Sequence, residues 1–199
     1  MKHPKSRWLE VVSILLVLIA ELQAGVIQQQ VKFQESDLTI SSLDGQNAVD
    51  LVGCDPTTEV GAPQLVEKAV FISLPYRARV TGIRVTRNAE VTVANQFVPI
   101  IVQPQVITMP GQEPKKVEPN PRIFDSECPY PTEVAKFVGQ GNLGGQPIAM
   151  IVVSPLRYLP REHQLSLFKE IDLEVSYRLD GPDPRPAEAQ DLPGIFDYL

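Results

Sequence analysis

The side chains best suited to nucleophilic chemistry are Cys54, Cys128 and His163. A catalytic thiol needs a histidine base within hydrogen-bond reach. His163 sits in the turn-like run Pro160-Arg161-Glu162-His163, and neither its order nor its spacing to the cysteines favours a dyad. In an exported chain, two cysteines point first to a disulfide. Pairing Cys54 with Cys128 would close a loop of roughly 75 residues, a constraint of about 4 kcal/mol in chain-entropy terms. Gly139-Gln140-Gly141-Asn142-Leu143-Gly144 is a literal G-x-G-x-x-G. A dinucleotide site needs a helix directly after it, whose N-terminus receives the phosphate. Gly145, Pro147 and an apolar run from Ile148 follow instead, so the glycines read as a loop feeding a strand. Asp125, Glu127 and Cys128 lie close together, as do Asp180 and Asp183, but neither group has a metal-ligand pattern. No Gly-x-Ser-x-Gly, His-Glu-x-x-His or Walker sequence occurs. The expectation is a chain with no catalytic residue, metal site or cofactor of its own.

The totals bound the domain and its partners. The chain has 199 residues, 43% hydrophobic, with 19 prolines and a net charge of -6. That supports one ordinary domain with short appendages, built on strands and ordered loops. No three consecutive Lys or Arg residues occur, so the clustered cations that grip nucleic acid are missing. Residues 1–24 read as a secretory signal peptide. Lys2, Lys5 and Arg7 form its positive start, residues 11–20 its apolar stretch, and Leu22-Gln23-Ala24 its cleavage site. A helix over that apolar stretch covers about 15 Å, half of a bilayer core of ~30 Å, which argues against a stable membrane anchor. Export would place the chain in an oxidising, extracellular or periplasmic compartment.

The elements that must position any site are strands. Residues 148–153 form an unbroken apolar run, expected to be buried on both faces. Pro155 and Pro160 interrupt pairing, and from Ile171 to Tyr177 apolar and polar residues alternate perfectly, giving one dry and one wet face. Together these runs predict a two-strand core unit. Further strands are expected over residues 31–40, 48–52, 68–74, 79–87, 90–98 and 133–138. Asp44-Gly45 and Asn88-Ala89-Glu90 read as turns and Gly82 as a bulge. Prolines at 104, 110, 114, 119, 121, 129 and 131 rule out a central strand or a helix there. A loop that long in a compact domain is usually functional or disordered. Residues 181–199 begin as a proline-rich linker. The fold class is all-β, an antiparallel sandwich of jelly-roll or immunoglobulin-like type with roughly seven to nine strands.

Several of these pieces together resemble the propeptides of gingipain-type cysteine peptidases. Gly61-Ala62-Pro63-Gln64-Leu65 followed by Ala69-Val70-Phe71-Ile72-Ser73-Leu74-Pro75 resembles the family's opening signature. Pro155-Leu156-Arg157-Tyr158-Leu159-Pro160, then Leu165-Ser166-Leu167-Phe168 and Ile171 to Tyr177, resembles its closing one. The segment 124–131 sits where the family has a Tyr- and Pro-rich stretch. The likeness spans about residues 30–178. It implies a β-sandwich pro-domain over residues 25–180 that assists folding of a following catalytic domain, covers its cleft and keeps it latent until cut away. The partner is that cysteine peptidase domain, normally in cis, and the catalytic Cys and His belong to it. The terminal Phe196-Asp197-Tyr198-Leu199 falls about where the pro-domain hands over. By the same resemblance, a basic side chain on the proline-rich loop enters the specificity pocket. Lys115, Lys116 and Arg122 are the candidates, with Val106-Ile107-Thr108-Met109 where an arginine is expected. Arg178 and Arg185 are candidate processing positions, after Ala24 for the signal peptide. The alternative is a secreted adhesion or carbohydrate-binding sandwich. The chain's one tryptophan, Trp8, lies in the signal segment, which weakens sugar stacking.

Overall fold

The alternation from Ile171 to Tyr177 forms the middle of a strand far longer than itself. In the computed structural model, which describes residues 24–104 and 116–181, this strand runs from Gln164 to Leu179. Ile171, Leu173 and Val175 are buried, while Asp172, Glu174 and Ser176 are half-buried on the other face. In chain order the strands are β1 (Ala24–Lys32), β2 (Leu38–Leu43), β3 (Gln46–Leu51), β4 (Asp55–Pro56), β5 (Val66–Ser73) and β6 (Ala78–Ala94). A four-residue helix, α1 (Pro121–Phe124), precedes β7 (Ala135–Leu143), β8 (Gln146–Val153), β9 (Leu156–Leu159) and β10 (Gln164–Leu179).

One sheet is ordered β1-β10-β6, with β9 pairing the first part of β10; the other is β4-β5-β8-β7; β2 and β3 form a separate hairpin. All strand pairs are antiparallel. Ile171, Leu173 and Val175 share one buried cluster with Ile72, Ala149, Ile151 and Val153 of the other sheet. The all-β sandwich expectation therefore holds, while the ten strands among the described residues exceed the expected seven to nine.

The expected two-strand unit is divided between the sheets. β8 pairs with β5 and β7, β10 with β1, β6 and β9, and β9 carries the chain across the core. Nor is β8 buried on both faces: Met150 and Val152 remain partly exposed on the outer one. The expected first strand is broken by a short 3-10 turn at Glu35–Asp37, which separates β1 from β2. Asp44-Gly45 is the β2–β3 turn, with φ of 50° and 78°, the left-handed geometry that Asp-Gly tolerates. Asn88-Ala89-Glu90 is no turn. Ala89 has φ 52°, yet the ladder continues through it, Asn88 opposite Glu170 and Glu90 opposite Phe168. The uninterrupted partner β10 outweighs the local turn preference. The β6–β10 register slips where Gly82 and Val80 face Ser176 and Tyr177, the bulge expected at Gly82. Gly139 and Gly141 lie within β7, Gly144-Gly145 turn the chain, and β8 follows at once without a helix. The prolines did not forbid α1. Pro121 occupies its first turn, where no donor is lost, and the Asn120 side chain accepts from the Arg122 N–H at 3.1 Å.

Candidate functional site

The proline-rich segment leaves and re-enters one end of the sandwich through a paired stem. On the outgoing side, residues 100–102 zip against residues 61–64: Gln64 N donates to Ile100 O at 2.7 Å, Val102 N to Ala62 O at 2.9 Å, and Gly61 N to Val102 O at 2.9 Å. On the returning side, Asn120 N donates to Gly61 O at 2.9 Å. Gly61 thus bridges the two stems through its own backbone. Its φ of 82° is left-handed, and an added Cβ would lie 3.6 Å from Glu118 O. Glycine meets that backbone without the penalty other residues carry.

A second bridge comes from a side chain. The Gln103 amide accepts from Val117 N at 2.8 Å and donates to Val117 O at 3.1 Å. It treats Val117 as a neighbouring strand would. Beyond Val117, α1 is anchored by Phe124, whose ring lies 6.4 Å from that of buried Tyr158, which Phe97 meets edge-on at 5.8 Å. Tyr130 and Tyr158 exchange two backbone bonds of 2.8 and 2.7 Å, and the Tyr130 hydroxyl donates to Glu59 at 2.9 Å. Burial first, then the bond to Glu59, pushes the Tyr130 phenol well above its ordinary range. Burial also raises Tyr158.

Lys116 and Arg122 stand on the returning side, both exposed and neither ion-paired with a described residue. Lys115 and Arg185 lie outside the described residues. Ala24 opens β1 directly opposite Arg178. Arg178 pairs on its other side with Arg79 and reaches Asp180 at 3.5 Å. A peptidase takes its substrate as a free extended strand, so Arg178, laddered on both sides, is poorly placed for cutting in the folded domain. Cys54 and Cys128 both carry free thiols in the structure. Cys54 is half-buried, and burial raises its thiol pKa, opposed by Lys68 and reinforced by Asp55 and Asp50. Cys128 is exposed and donates its N–H to Ser126 Oγ at 2.9 Å. His163 lies 3.4 Å from the Tyr158 hydroxyl. Among the described residues no His, Cys, Asp and Glu cluster could hold a metal ion.

The loop stem and the chain's exit occupy opposite poles. β10 begins beside Asn95 and the Phe97–His163 bond, at the stem end. It ends where Asp180 is held by Arg79 at 2.5 Å and by the Arg77 carbonyl. Between them lie about 50 Å of strand. Gln103, Gly61 and Asn120 had not been singled out as site residues by sequence. Asn120-Pro121 was the available signal, a cap followed by proline at the first helical position.

The strand sandwich joins the two described flanks of the proline-rich segment through a double-bridged stem. The chain belongs to the Propeptide_C25 family, whose model matches residues 20–196. It is the pro-domain of a cysteine peptidase precursor and not itself a catalytic domain. No curated protein matches the chain. Among solved structures, a chain from work on the zymogenic latency of gingipain K of Porphyromonas gingivalis is 21% identical. Its TM-score is 0.53, over 79% of this chain and 100% of that one. A chain of the complex of Porphyromonas gingivalis RgpB pro- and mature domains is 12% identical, with TM-score 0.57 over 84% of this chain and 94% of its own. At these identities the likeness establishes the fold.

Proposed function

We propose that this pro-domain assists folding of the catalytic domain of its own precursor and holds it latent by seating the stem-borne loop in its cleft. The observation that carries this is the stem, which presents Lys116 and Arg122 exposed and without ionic partners among the described residues, at the pole away from the chain's exit. A docked loop loses less entropy when its ends are already joined. Lys115, Lys116 and Arg122 are the residues proposed to fill the specificity pocket. Residues 1–24 direct export and are removed after Ala24, residues 25–180 act, and residues 181–199 link to the peptidase. The working place is accordingly secreted or periplasmic. Arg185 is favoured over Arg178 for processing, because β10 holds Arg178 between β1 and β6.

The test adds the chain from Gly25 onward to the precursor's catalytic domain and titrates activity. Inhibition at micromolar concentration or below is expected, and none at micromolar would overturn the reading. Replacing Lys115, Lys116 and Arg122 together by alanine should weaken inhibition by at least about tenfold, since the pocket loses its charge. Undiminished inhibition would remove the three residues from the site.

A further inference from the structure

We infer that Gln103 is a positioning residue that closes the loop stem before the peptidase is met. This rests on the latency reading above and adds to it the residue that sets the geometry. The chain departs at Gln103 and returns at Val117, and one side chain satisfies both the N–H and the C=O of Val117. A side-chain amide is the one neutral group that can offer an acceptor and a donor at a spacing matching a peptide unit. The backbone bridge through Gly61 joins the same stems one layer nearer the sandwich. The stem is thus paired in two layers, one through Gly61 and one through Gln103. Lys116, adjacent to Val117, is therefore fixed at its root. Without Gln103 the stem would end at the Gly61 layer, and the root of Lys116 would have to be ordered on binding, which costs affinity. The same bond has no part in the core, since Gln103 is exposed.

Three variants of the full chain test this. Gln103→Ala removes both bonds to Val117 together with the 3.3 Å bond to Ile101 O, Gln103→Asn is too short to make the bonds to Val117, and Gln103→Glu keeps the acceptor but, when ionised, directs a charge at the Val117 carbonyl. Hydrogen exchange at the Val117 amide is read first, without any peptidase. Exchange at least about tenfold faster in Gln103→Ala, with an unchanged melting temperature, is expected. Exchange equal to the wild type overturns the clamp. Binding to the catalytic domain, its cysteine replaced, is read second. Gln103→Ala and Gln103→Asn should bind about fivefold more weakly, the scale of one or two exposed hydrogen bonds. Gln103→Glu should bind most weakly above about pH 6, where its carboxylate is ionised, and regain affinity relative to wild type as pH falls through about 4, where the protonated carboxyl recovers a donor. A purely structural defect would not follow that profile. A wild-type chain that binds while all three variants bind equally well overturns the inference alone; a wild-type chain that does not bind overturns the latency reading as well.

Discussion

At the scale of single residues, burial sets which groups react. The Cys54 thiol is raised by desolvation, whereas Cys128 is exposed. Thiolate is the reacting form, so alkylation at neutral pH should label Cys128 well before Cys54. Mass spectrometry of a timed reaction checks this; labelling of neither would mean that the two are joined. Tyr130 supplies a pH dependence. Its folded pKa is raised above the ordinary 10.0, so the neutral phenol favours the folded state. That contribution is complete below about pH 10 and is lost as pH rises further, because the unfolded chain ionises first. The wild-type unfolding midpoint should fall above pH 10 more steeply than that of Tyr130→Phe, as read by denaturant titration across pH. Gly61→Ala should destabilise by about 1–2 kcal/mol through its left-handed φ. It should also loosen the stem, seen as faster exchange at the Asn120 amide. None of the Gly61 or Gln103 chemistry was legible in sequence. A bond between a side chain and a backbone fourteen positions away leaves no periodic trace.

At the scale of elements, the sequence was most legible where one strand meets both water and core. Ile171 to Tyr177 announced β10 because a half-buried strand must alternate. Its full reach to Gln164 was hidden, since Leu165 to Phe168 are all buried, covered by β9 and β6 on their edges and by the core. β6 was read as two strands because Asn88-Ala89-Glu90 has turn composition, and only the partner strand decides that it stays straight. α1 was lost to proline counting, although the first helical turn is the one place in a helix that welcomes proline. The weight of β10 is measurable. Ile171→Ala should cost about 2–5 kcal/mol, since Ile171 is fully buried between the sheets. Val26→Ala on β1, 54% exposed, should stay within about 0.5 kcal/mol. Equal effects would mean that the sandwich core does not lie where these strands place it.

At the scale of the whole molecule, one arrangement gives the domain its use. Both ends of the described fold, Ala24 and Asp180, lie at one pole, and the loop stem lies at the other. Cleavage beyond Gly181 therefore leaves every described strand and the described stem intact, and a cut pro-domain should keep its melting temperature. That polarity was not legible in sequence, because it depends on which strands neighbour β10, not on their composition. The central claim is that the domain silences its own peptidase. The most direct measurement is turnover of a small substrate by the uncut precursor, compared with the same sample after cleavage within residues 182–199 and removal of the pro-domain. The expected result is a silent precursor and an active peptidase after removal. Equal turnover in both samples, with the pro-domain folded throughout, would contradict it.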